Sequence, residues 1–100
     1  MTPTVLDGYL SSWAQYTILL KDSDERTKVQ FALKEKDIPS MIYYPRGMHQ
    51  QQAFKHFGLV DDDFPNAVEA TKRVLSLPMH PYMTEEEVDY ICSAILKEIK

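Results

Sequence analysis

The sequence predicts an α+β fold: a two-layer sandwich whose short three-stranded sheet carries helices on one face, in the order β-α-β-α-α-β-α. Three observations predict it. Apolar residues alternate over residues 13–20, apolar residues recur at helical spacing around Val29–Leu33 and Ile91–Ile95, and prolines fall between these segments. Pro3, Pro39, Pro45, Pro65, Pro78 and Pro81 each remove a backbone donor and fix φ, so they belong at element edges.

Residues 13–20 (WAQYTILL) read as the first strand, with Ala14, Tyr16, Ile18 and Leu20 on one face and Trp13, Gln15, Thr17 and Leu19 on the other. Lys21 and Asp22 break it. Asp22 or Ser23 then caps a helix to about Lys36, with Glu25 placed to complete a capping box and Val29, Ala32 and Leu33 as its apolar stripe. Residues 40–44 (SMIYY) read as a second strand between Pro39 and Pro45. A short helix over residues 49–57 follows, turning Ala53, Phe54 and Phe57 to the core and stopping at Gly58.

Pro65 suits the first turn of a third helix to Arg73, with Ala67, Val68, Ala70 and Thr71 spaced for packing. Val74–Leu77 is short, apolar and ended by Pro78, which suits a third strand. Thr84 and Glu87 form a capping box for the last helix, whose buried stripe is expected to be Val88, Ile91, Cys92, Ile95 and Ile99. The first strand's second face, with Trp13 and Leu19, is left without an obvious cover.

Hydrophobic residues make up 44% and charged residues 26% of the 100-residue chain, the mix of one ordinary globular domain rather than a disordered segment. Fifteen acidic against 11 basic residues give a formal charge of -4, which argues against nucleic-acid binding through bulk positive charge. A lone cysteine forms no intrachain disulfide, so a reduced, cytoplasmic setting is expected. There is no signal-peptide pattern and no stretch near the roughly 18 apolar residues a membrane span needs, so no membrane partner is expected either.

Few constellations suggest chemistry. Gly8, Gly47 and Gly58 are too scattered for a phosphate loop, His49, His56 and His80 follow no zinc spacing, and Asp61–Asp63 lacks the alternation of a calcium loop and reads as a solvated acidic loop. Cys92, mid-helix on an apolar stripe, reads as a core residue. Two loops stand out. Residues 43–49 (YYPRGMH) end a strand in aromatic, cationic and imidazole groups able to stack on a sugar or base, hold a phosphate through Arg46 and donate a hydrogen bond from His49. The same residues also fit a plain strand-to-helix turn. Residues 75–82 (LSLPMHPY) bracket His80 between prolines and read first as a rigid connector.

The series AQYTI at 14–18, Tyr44-Pro45 with His49 four residues on, RVLSLPMHPY at 73–82 and Thr84-Glu85-Glu86 resembles the C-terminal part of the DegT/DnrJ/EryC1/StrS family of sugar aminotransferases over residues 12–99. The likeness is closest to members that aminate keto sugars on UDP. Where the family commonly has proline before Leu-His, this chain has Gly47-Met48, which is expected to loosen the turn.

The resemblance implies the small C-terminal domain of type I pyridoxal-phosphate enzymes for residues 12–100, with residues 1–11 as a tail or linker. It implies a full-length enzyme, homodimeric and bearing a large N-terminal domain, that moves an amino group from glutamate to a nucleotide-linked keto sugar. Such a sugar is a precursor of surface polysaccharide or glycan. The cofactor lysine would lie in the large domain; every lysine here reads as exposed, so this chain alone is expected to be inactive and to bind no pyridoxal phosphate. By the same resemblance Tyr44, His49 and, with less support from the motif, Arg46 would touch the substrate's sugar or diphosphate. The competing expectation is a free-standing, non-catalytic ligand-binding or dimerisation module of the same fold.

Overall fold

A computed structural model describes residues 1–100. Strands β1 (Tyr16–Leu19) and β2 (Val74–Leu77) pair antiparallel, Tyr16 opposite Leu77 and Leu19 opposite Val74. Side chains alternate across a strand, so the register pairs Ile18 and Leu75 on one face and Thr17 and Ser76 on the other. The apolar face is the floor of the core. The opposite face is polar at its centre, where the Thr17 and Ser76 hydroxyl oxygens lie 2.7 Å apart.

Helix α1 (Ser23–Glu35) starts where Asp22 Oδ1 accepts the Glu25 N–H at 2.8 Å. Glu25 returns the bond to the N–H of Lys21, one residue earlier than the box expected on Asp22. Val29, Ala32 and Leu33 are buried as their spacing predicts, and Val29 and Leu33 are fully so. Helix α3 (Glu85–Ile99) starts at the Thr84–Glu87 capping box, both bonds of which form. The helices α1 and α3 pack on each other and on the sheet, giving a core of Ile18, Leu20, Val29, Leu33, Ile38, Leu75, Ile91, Ala94 and Ile95. Helix α2 (Pro65–Arg73) begins with its proline in the first turn and runs directly into β2.

The α+β architecture stands, but the sheet has two strands where three are expected, and α2 borders its polar face while α1 and α3 pack on the apolar one. Residues 40–44 supply only a bridge from Met41 to Ser76, with mutual N–H to C=O bonds of 3.0 and 2.8 Å. Pro39 and Pro45 leave a short span between them, and proline donates nothing to a ladder, so pairing stops after one residue. The first strand is likewise shorter than residues 13–20. Trp13 takes a left-handed φ of 49°, which ends the extended run before Ala14.

The helix expected over residues 49–57 is instead two 3₁₀ turns, Met48–Gln50 and Gln52–Phe57, separated by the extended residue Gln51. Ala53 and Phe57 are exposed and Phe54 is half-buried, because turns this short present no continuous face to the core. In α2, Ala67 is exposed while Val68, Ala70 and Thr71 are half-buried. The last helix buries Ile91, Ala94 and Ile95, whereas Cys92 is exposed and Val88 and Ile99 are 43% and 40% exposed. Two strands and one facing helix cover only a narrow stripe of α3. Val88 and Cys92 stand beside Tyr16, Leu77 and Met83 around an apolar cavity of about 280 Å³.

Candidate functional site

A second cavity, of about 360 Å³, opens on the polar face of the sheet. Thr17 and Ser76 line it from the strands, Tyr44 and Arg46 from the loop that follows Met41, and Ala67 and Ala70 from α2. Tyr44 is 67% exposed, so most of its ring is available for contact. Arg46 is exposed and forms no ion pair within the chain. It also borders a neighbouring cavity that Asp61 and Lys72 share. An unpaired guanidinium beside an exposed phenol suits an anionic ligand that also presents a ring or sugar face.

His49 is placed differently. It is 8% exposed and does not line this cavity. Its Nε2 lies 2.8 Å from Asp61 Oδ1, and because an ionised carboxylate only accepts, that ring nitrogen carries the proton. The ring packs against Phe64 at 5.0 Å between centroids. On another side it rests over Gly47, where a Cβ would meet ring atoms at 2.8 and 2.9 Å.

Gln50 completes the arrangement. Its Oε1 accepts the Gly47 N–H at 2.9 Å, and its Nε2 donates to the same Asp61 oxygen at 2.8 Å. The Gln50 N–H in turn donates to the Gly47 carbonyl at 3.0 Å. The turn that Gly47-Met48 is expected to loosen is therefore closed by hydrogen bonds and filled by an imidazole. The hydrogen bonds from His49 and then Gln50 hold the Asp61 carboxyl below its ordinary value of 3.8.

The structure thus brings Tyr44 and Arg46 to one cavity and turns His49 inward beside them. His80 lies apart on an exposed turn, where Nδ1 accepts the Tyr82 N–H at 3.3 Å. Gln50 and Phe64 carry no signal in the sequence, and Asp61, expected only as part of a solvated acidic loop, instead accepts from His49 and Gln50. Asp61 is twelve residues from His49, in a third 3₁₀ turn (Asp61–Asp63), and no spacing rule relates them. Every lysine in the chain is exposed. None is a desolvated amine suited to forming a cofactor imine, so these residues do not fit pyridoxal phosphate as a covalently held group.

The profile of the DegT/DnrJ/EryC1/StrS aminotransferase family matches residues 2–96. A pleiotropic regulatory protein of Geobacillus stearothermophilus is 39% identical over 95% of this chain and 25% of its own length. The UDP-2-acetamido-2-deoxy-3-oxo-D-glucuronate aminotransferase of Pseudomonas aeruginosa is 33% identical over 94% of this chain and 24% of its own. A solved DegT DnrJ EryC1 StrS aminotransferase from Brucella abortus superposes with a TM-score of 0.85 at 36% identity, covering 98% of this chain and 26% of that one. The chain spans about a quarter of the length of the relatives it matches.

Proposed function

This chain belongs to the DegT/DnrJ/EryC1/StrS aminotransferase family, and from that premise we propose that it is the C-terminal small domain of an enzyme moving an amino group from glutamate to a nucleotide-linked keto sugar. Pyridoxal phosphate and the lysine that holds it would belong to the remainder of that enzyme. The chain's own part is to bind and orient the nucleotide sugar. The observation that carries this reading is the pairing of exposed Tyr44 with unpaired Arg46 on one cavity. The tyrosine face supports stacking on a sugar or base and the guanidinium supports a charge-assisted bond to the diphosphate. The sugar aminotransferase among the relatives supports the substrate class.

His49 serves this site from behind: buried on Gly47, it braces the loop that presents Arg46. No helix is long and apolar enough to cross a membrane, which is compatible with a cytoplasmic enzyme acting on a soluble substrate. The exposed apolar cluster around Val88 and Cys92 supports burial against the large domain or a dimer mate.

The test is steady-state kinetics of the full-length enzyme. Arg46→Ala and Tyr44→Ala are each expected to raise KM for the nucleotide sugar about tenfold while KM for glutamate stays within about twofold. Equal effects on both substrates would count against a sugar-side role.

A further inference from the structure

We infer that Asp61, through His49 and Gln50, is the positioning residue of the loop that carries Tyr44 and Arg46. That loop is suspended from two points. At one end Met41 is tied to Ser76 by two backbone bonds. At the other, Gly47–Gln50 closes on itself, and residues 42–46 lie between with no ladder partner.

The second anchor is not self-sufficient. The Gly47 amide is bonded to Gln50 Oε1, but Gln50 is oriented by giving its amide N–H to Asp61 Oδ1. The His49 ring fills the space above Gly47, and its Nε2–H donates to the same oxygen. One carboxylate oxygen therefore holds both side chains that close the turn. It does so from a different segment, which joins directly to α2 through Phe64. Since α2 supplies the other side of the cavity, the same contact sets the spacing across it.

A purely electrostatic role for Asp61 makes the opposite prediction. Its carboxylate shares a cavity with Arg46 and Lys72, so its charge alone would repel an anionic substrate, and deleting it would tighten binding. A positioning role means that deleting it loosens the loop and weakens binding. The kinetic half of the test rests on the substrate reading above; the spectroscopic half does not.

In this 100-residue chain, the imidazole ¹H–¹⁵N spectrum should show a protected Nε2–H on His49. Asp61→Ala should abolish that protection, and Asp61→Asn, whose amide oxygen still accepts, should retain it. In the full-length enzyme, Asp61→Ala should raise KM for the nucleotide sugar about tenfold with kcat within about twofold, and Asp61→Asn should restore most of the loss. A His49 signal indifferent to Asp61→Ala overturns the inference, and so does a lowered KM in Asp61→Ala or an Asp61→Asn that behaves like it. Loss of the signal with KM unmoved upholds the latch and instead refutes the cavity as the sugar's site.

Discussion

Gly47 lies so close beneath the His49 ring that a Cβ at position 47 would come 2.8 Å from Cε1 and 2.9 Å from Nδ1. The requirement is one of space rather than conformation, since residue 47 has an ordinary φ of -63°. Gly47→Ala should therefore destabilise the chain by about 1–3 kcal/mol, the usual cost of overpacking. The double variant with His49→Ala should fall short of the summed single effects by about 1 kcal/mol, because the ring is what the new methyl meets. Denaturant titration of the four proteins measures this, and strict additivity would count against the packing.

Acid should weaken the same region. The bonds from His49 and Gln50 hold the Asp61 carboxyl below 3.8 in the folded chain, so the unfolded chain takes up the proton first as pH falls. The stabilisation is complete above 3.8 and disappears as pH drops through the lowered folded value. Stability of the native chain minus that of Asp61→Asn should shrink over about pH 5 to 2. A difference that stays level across that range would show that the carboxylate does not titrate against its two donors.

Leu33 has no exposed surface and sits where α1 meets the rest of the core. Leu33→Ala should cost about 3 kcal/mol, a large share of the stability of a domain this size, while Phe31→Ala on the exposed side of α1 should cost less than about 0.5. Thermal unfolding followed by circular dichroism separates them. Comparable losses would mean that Phe31, at 62% exposed, is covered in solution.

Pyridoxal phosphate should form no lasting adduct with this chain. Each lysine is exposed and none sits in a pocket that would hold the cofactor, so attack on its aldehyde is weak and reversible. Borohydride treatment followed by peptide mass mapping should find only scattered, substoichiometric labelling. Stoichiometric reduction at one lysine would reveal an amine pocket that the chain's own residues do not explain.

Much of the fold was legible in the residues themselves. The caps at Asp22 and Thr84, the stripe of Val29 and Leu33, and the inward face of Ile18 and Leu20 are local patterns, set by short-range hydrogen bonding and by the helical and strand periods. The candidate site was half legible: Tyr44 and Arg46 stand out as an aromatic and a cation beside a proline, and the structure does bring them to one cavity. The orientation of His49 was not, since nothing in its neighbours' sequence tells an imidazole that lines a cavity from one that is buried.

By itself the sequence determined the α+β class, the two long helices and the family likeness, because these depend on periodicity, caps and contiguous motifs. The tertiary structure alone decided that residues 40–44 contribute one bridge rather than a strand, that Cys92 lies outside the core, and that His49 is held by Asp61. Each of these turns on which distant surfaces meet. Whether a segment finds a full ladder, a helix face finds a cover, or an imidazole finds a carboxylate twelve residues away is settled by packing between elements.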